Sequence, residues 1–481
     1  MLFNSFEFIF VFLPIAFIGY FTINKINPNL GKVWLIVCSF FFYAWWNPAY
    51  LPLLLGSLLV NFFISKQIAN SESKMRRKVT LTVGILFNVG LLGFFKYADF
   101  FIENINFILQ QNFNFLHIIL PLAISFYTFQ QIAYLVDVYR NEAKDNSFIN
   151  YILFISFFPQ LIAGPIVQHN EVMGQYKDIT KTKINWENVS KGLFIFSIGL
   201  FKKVAIADTF AVWVNNGYSD AYALNFFDSW ITSLSYTFQL YFDFSGYTDM
   251  ALGIALLFNI KLPTNFNSPY KALSVREYWQ RWHITLSRFL SKYIYIPLGG
   301  NRISRRRTYI NLILVLSISG FWHGAGWTYI MWGFLHGVAM VINRMWYKAG
   351  FKMNLILAWF VTFHFINITR VFFRSPDMAT AFEVLKAMFG LKGFAVPEQI
   401  SNILQWDWLK GYEYVYQISD DLWMTIYLLV GALLLTVFLK NSIQLMERLK
   451  PNPLYSIYAA ALFIYAALRL DQVTEFLYFN F

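Results

Sequence analysis

Cysteine is nearly absent: one residue, Cys38, in a chain of 481, and it sits inside an apolar run. That excludes internal disulfides, cysteine-based zinc sites and an acyl relay through a thiol in a polar loop, and it leaves the redox compartment unread. Charge is scarce too. The 38 Lys and Arg and 26 Asp and Glu make up 13% of the chain, about half the roughly 25% of soluble domains. Several catalytic signatures are missing: HExxH, GxSxG, a Walker A loop and any Cys-rich metal pattern. The His-x4-Asp pair of glycerol-phosphate acyltransferases is absent as well, because Thr328 follows His323 at that spacing and Arg288 follows His283. A histidine with no nucleophile beside it suits general-base transfer to an alcohol better than hydrolysis through a covalent serine.

What the chain has in excess is apolar surface. Hydrophobic residues reach 57% and 54 residues are Phe, in long blocks that identify an all-α polytopic membrane protein. The net charge of +12 lies in short loops between apolar runs, which sets orientation in a bilayer and gives no reason to invoke nucleic acid. The first run, residues 8–23, holds Pro14 and lacks a small-residue cleavage site, so it is expected to remain as a span. A helix needs about 20 residues to cross a ~30 Å layer, so shorter blocks such as 230–244, 250–260 and 309–321 are expected to be tilted, re-entrant or buried in protein. About ten to thirteen spans and no soluble domain follow. Basic clusters at Lys66, Lys74, Arg76, Arg77 and Lys78, at Arg302, Arg305, Arg306 and Arg307, and at Lys440, Arg448 and Lys450 point these loops to the cytoplasm. Both termini and the acidic loop 374–421 are then outside, where Trp406, Trp408, Tyr412, Tyr414 and Tyr416 suit the headgroup layer. No internal repeat is visible.

Polar chemistry crowds into residues 234–337, and ionisable groups at membrane depth mark a site by default. Gln239, Asp243, Ser245 and Asp249 come first, then the amphipathic run VREYWQRWHITLSRFL with Arg276, Glu277, Arg281 and His283, and finally GFWHGAGW with Trp322 and His323, followed by His336. His323 has Gly320, Gly324, Ala325 and Gly326 around it, small residues that either open space for a substrate or let a second helix approach. Either a helix-packing hydrogen bond or a neutral, desolvated imidazole able to accept a proton fits this pattern. His283 fits both an interfacial amphipathic helix and a lined cavity. His336, thirteen residues beyond His323, is expected to be structural. The Arg302, Arg305, Arg306 and Arg307 cluster either orients its loop or meets phosphates through bidentate hydrogen bonds.

The segments FNSPYKA, W-x-x-WHITLS, YIYIPLGGNR and GFWHGAGW followed by WGFLHG, together with FFYAWWNP, LPLAISFYTFQQIAYLVDVYR, FFPQLIAGPI and the terminal FLYFNF, resemble the membrane-bound O-acyltransferase family. The resemblance covers nearly the whole chain and is nearer to the bacterial branch of alginate and peptidoglycan O-acetylation subunits. It implies a single integral membrane acyltransferase domain over 1–481, with a core at about 118–345, the outer loop 374–421 and an aromatic tail 471–481. Its expected fold is a ring of tilted helices around a central funnel. It also implies His323 as the catalytic histidine and His283 as the second histidine, and the polar crowding around them puts Gln239, Asp243, Ser245 and Trp322 along the expected substrate channel. The expected donor is acetyl-CoA, with no bound cofactor or metal. An extracytoplasmic acetyltransferase partner, a polysaccharide acceptor and a place in the bacterial inner membrane complete the expectation. Tyr478, in the aromatic tail, would carry the acetyl group as an ester. D-alanyl transfer from a carrier protein to teichoic acid, a transporter or flippase, and a non-catalytic scaffold are the alternatives.

Overall fold

The structure, a computed structural model, describes residues 1–143, 147–178, 182–404, 413–414, 416–449, 452–471 and 477. Tyr478, Trp406, Trp408 and Tyr412 lie outside these residues. The described chain is helical almost throughout, and its described sheet is one parallel pairing of Val396–Pro397 with Glu413–Tyr414. Among the described residues, four helical stretches are long and apolar enough to cross a bilayer unaided: Glu7–Asn24, Pro48–Asn70, Lys74–Leu109 and Leu355–Arg374. Other helices have the length but carry charge. Phe226–Leu257, with 32 residues, extends about 48 Å at 1.5 Å per residue.

That helix corrects the sequence expectation. Residues 230–244 and 250–260 are one continuous helix, because Asp243, Ser245 and Asp249, which interrupt the apolar pattern, are buried in protein and need no exit to water. The helix expected at 309–321 is also longer, Arg305–His323. Its first turn holds three arginines, although the positive end of a helix dipole disfavours cations, so they are not there to stabilise the helix. Ser304 caps it instead, its Oγ accepting the Arg307 amide at 3.1 Å.

The chain divides into two compact units. The first comprises Met1–Leu200, Tyr247–Asn265 and Met446–Asp471. Much of its core is phenylalanine: Phe8, Phe12, Phe42 and Phe158 meet at ring separations of 5.2–6.2 Å. Its helices are also cross-linked by buried amides. Asn61 Nδ2 donates to Asn88 Oδ1 at 3.2 Å and to Gln131 Oε1 at 3.0 Å, and Ser57 Oγ donates to the same Gln131 oxygen at 2.8 Å. Away from water such bonds have few competitors, and they fix which helix faces which.

The second unit comprises Phe201–Gly246, Phe266–Leu445 and Gln472–Phe481. Within it Arg305–His323 and Trp327–Lys348 form a hairpin whose backbones touch. A Cβ on Gly320 would lie 2.1 Å from the Tyr329 carbonyl oxygen, one on Gly333 2.2 Å from that of Leu316, and one on Gly337 2.7 Å from Ile313 Cα. Gly320, one turn before His323, therefore serves helix approach, Gly324 faces the Tyr329 ring, and Gly326 has only ordinary contacts. In the 374–421 loop, Tyr414 donates to Asp228 Oδ1 at 2.7 Å and the buried Tyr416 donates to Thr425 Oγ1 at 3.3 Å. Hydrogen bonds to protein hold these two hydroxyls.

Candidate active site

His323 is the last residue of its helix, and the extended Gly324 that follows turns the chain into the next one. Its ring is buried, 3% exposed, against Trp322 at 4.8 Å, Phe373 at 5.2 Å and Trp332 at 5.6 Å between centroids. The helix's terminal carbonyls favour positive charge at that end, so an imidazolium formed during proton transfer would be stabilised there.

His283 reaches the same place by a different route. The amphipathic run expected as one helix is two, Val275–Arg281 and Ile284–Leu290, with the break at Trp282 and His283. His283 has φ +43°, a left-handed conformation that costs a non-glycine residue about 1–3 kcal/mol and persists only where surrounding contacts enforce it. Among those contacts are Phe244, edge-on at 4.9 Å, and Trp322 at 6.2 Å. The result places the fully buried His283 ring 6.3 Å from that of His323. The structure thus brings His283, Trp322 and His323 together as one aromatic cluster.

His336 is close by and locked. Trp279 donates its indole N–H to His336 Nδ1 at 3.2 Å, and His336 Nε2 lies 3.1 Å from Thr369 Oγ1. An indole nitrogen only donates, so Nδ1 accepts and Nε2 carries the hydrogen. Both nitrogens are engaged, as a structural histidine requires. His336 and His323 are not on one helix, as their thirteen-residue spacing would allow; instead both contact Trp332, His323 edge-on and His336 tilted.

Gln239 and Asp243 lie one turn apart on the Phe226–Leu257 helix, and with Ser245 they are buried. Among the described residues, Gln239 Oε1 and Ser245 Oγ have no hydrogen-bond partner. Asp243 is already paired: Lys203 Nζ sits 2.8 Å from it and 2.7 Å from Asp208, and the Leu477 amide donates to Asp243 Oδ2 at 3.3 Å. Lys203 and Asp208 escaped the sequence reading. Their only signal was charge inside the apolar block 189–213.

Arg370 escaped it too, although it is a cation within the apolar block 355–372. It is 2% exposed. Its guanidinium donates to the Thr237 carbonyl at 2.8 Å, to Tyr278 Oη at 3.0 Å and to Tyr270 Oη, and it stacks 4.6 Å from the Trp282 ring centroid. With His323, Trp332 and Phe373 it lines a small void of about 10 Å³. A separate cavity of about 620 Å³ includes Arg276, Arg344 and Lys348, with Trp279 in its wall. That indole is 5.7 Å from Trp332. Two aromatic rings therefore separate the cavity from His323. Arg302, Arg305, Arg306 and Arg307 are exposed, and the cavity lining extends to their neighbour Asn301.

Residues 139–374 match the model of the membrane-bound O-acyltransferase family. Over the full length, the chain is 47% identical to a peptidoglycan O-acetyltransferase of Helicobacter pylori, covering 98% of that protein. The chain belongs to the membrane-bound O-acyltransferase family. It is 38% identical to a probable alginate O-acetylase AlgI of Pseudomonas aeruginosa, over 83% of this chain and 76% of that one. A teichoic acid D-alanyltransferase of Streptococcus thermophilus is 26% identical over 48% of this chain and 59% of its own. Membership of the membrane-bound O-acyltransferase family makes this a multi-pass membrane acyltransferase, which removes the transporter and scaffold alternatives.

Proposed function

We propose that the chain, working as a single acyltransferase domain in the bacterial inner membrane, moves acetyl from cytoplasmic acetyl-CoA to the outer face for O-acetylation of a cell-surface polysaccharide. Peptidoglycan is favoured over alginate as the acceptor, because the peptidoglycan O-acetyltransferase matches at higher identity and over the whole chain. The observation that carries the reading is the buried pairing of His323 and His283 inside one aromatic cluster, 6.3 Å apart. His323 acts as the base, His283 positions the reacting groups, and Trp322 packs against both.

The donor's phosphates meet Arg276, Arg344 and Lys348, with Arg302, Arg305, Arg306 and Arg307 at the approach. The thioester then passes the Trp279 and Trp332 rings. Gln239 and Ser245 line the acceptor's side, and Asp243 anchors the tail through Leu477. Tyr478, the residue after Leu477, is the acceptor in this reading. His323 takes the phenolic proton, the phenolate oxygen bonds to the carbonyl carbon, and the C–S bond breaks with the thiol leaving protonated. An extracytoplasmic partner then moves the acetyl from the Tyr478 ester to a polysaccharide hydroxyl. Base-labile acetate on purified peptidoglycan tests this. It should vanish in a strain making only His323→Ala at normal membrane levels, and wild-type acetate there would refute the reading. Tyr478→Phe should also abolish transfer, while retained transfer would eliminate the relay.

A further inference from the structure

Arg370 is a buried cation held only by neutral groups. Its three hydrogen bonds go to a carbonyl and two phenols, and among the described residues no carboxylate pairs with it. A guanidinium has five N–H donors, so these bonds leave donors to spare. Burying such a charge is costly unless negative charge arrives to compensate it. Tyr278, Tyr270 and Trp282 fix the plane of the guanidinium, which removes the need to reorganise when that charge appears. The void it shares with His323 has about 10 Å³ of free space, roughly what one oxygen-sized atom occupies.

We propose that Arg370 is a catalytic residue that stabilises the oxyanion of the tetrahedral intermediate opposite His323. The inference rests on the acyl-transfer reading above. As the acceptor oxygen bonds to the thioester carbonyl carbon and His323 takes the acceptor's proton, the carbonyl π pair moves onto its oxygen, which sits against the guanidinium. When the C=O bond re-forms, the C–S bond breaks and His323 returns the proton to the departing sulfur. Nothing is oxidised or reduced. The same step applies whether the acceptor is a phenol or a sugar hydroxyl.

Arg370→Gln and Arg370→Lys, purified in detergent, test the assignment, with kcat expressed per folded molecule from the amplitude of thermal unfolding. Arg370→Gln should lose about 100-fold or more in kcat, the scale of removing an oxyanion donor, with KM for acetyl-CoA within about threefold of wild type. Arg370→Lys keeps the charge without the planar fork and should lose about tenfold or more. If Arg370→Gln does not fold, Arg370→Lys decides. Wild-type kcat in a folded Arg370→Lys protein, or a loss confined to KM, overturns the assignment. His323→Ala in the same assay separates the two ideas: activity in that variant would refute the transfer site itself, whereas an inactive His323→Ala beside a fully active Arg370→Lys would refute only the role of Arg370.

Discussion

His336 and His323 both lie against Trp332, yet their partners assign them different work. Removing His336 strands the Trp279 indole N–H, and a buried donor left unmatched costs about 1–3 kcal/mol. His336→Ala should therefore melt lower in detergent while keeping most of its turnover per folded molecule. An inactive variant of wild-type stability would contradict the structural role. For His323→Ala the account expects the reverse, a loss of about 100- to 10,000-fold at nearly unchanged stability, with His283→Ala losing less. The sequence marked His323, Trp322 and His283 because each stands in a run of aromatic or small residues. Arg370 and Lys203 could not be recognised the same way. Each is a charge in an otherwise apolar block, and only the fold reveals that one pairs with two aspartates while the other faces phenols.

At the level of elements, the glycine contacts of the Arg305–His323 and Trp327–Lys348 hairpin set the height of His323. Gly333→Ala would drive a Cβ to 2.2 Å from the Leu316 oxygen, and overpacking of this kind costs about 1–3 kcal/mol. Unfolding in detergent should register that loss together with lower activity, while unchanged stability would show that the helices are looser than described. Lys203, from the short helix Lys202–Ala207, is paired with Asp243 of the Phe226–Leu257 helix, so Lys203→Met should cost about 3–5 kcal/mol by leaving Asp243 buried without its cation, and adding Asp243→Leu should recover much of it. A double variant as unstable as the single one would argue against a pairing role. Hydropathy located most helices but divided this one, because it treats every polar residue as facing solvent. It also joined residues 275–290, since charged periodicity carries no sign of the left-handed break at His283.

For the whole molecule, family, helical class and membrane setting were legible, because composition and long motifs report them without three-dimensional detail. The number of unaided spans was not, since helices lined by protein tolerate charge. The basic side chains assigned to the donor in the proposal were legible only in part. The exposed arginine cluster was visible as a run, whereas Arg276, Arg344 and Lys348 are scattered along the chain and meet only in the cavity. Replacing those three with Gln should raise KM for acetyl-CoA about tenfold or more, and replacing Arg305, Arg306 and Arg307 should raise it less. An unchanged KM in the first variant would move the donor elsewhere. The most direct measurement of the central claim uses purified protein in proteoliposomes, supplied with acetyl-labelled acetyl-CoA and assayed for label bound as a hydroxylamine-sensitive ester and for CoA released. The account predicts ester label and CoA release from the wild type and neither from His323→Ala. Equal labelling and release by His323→Ala would contradict it.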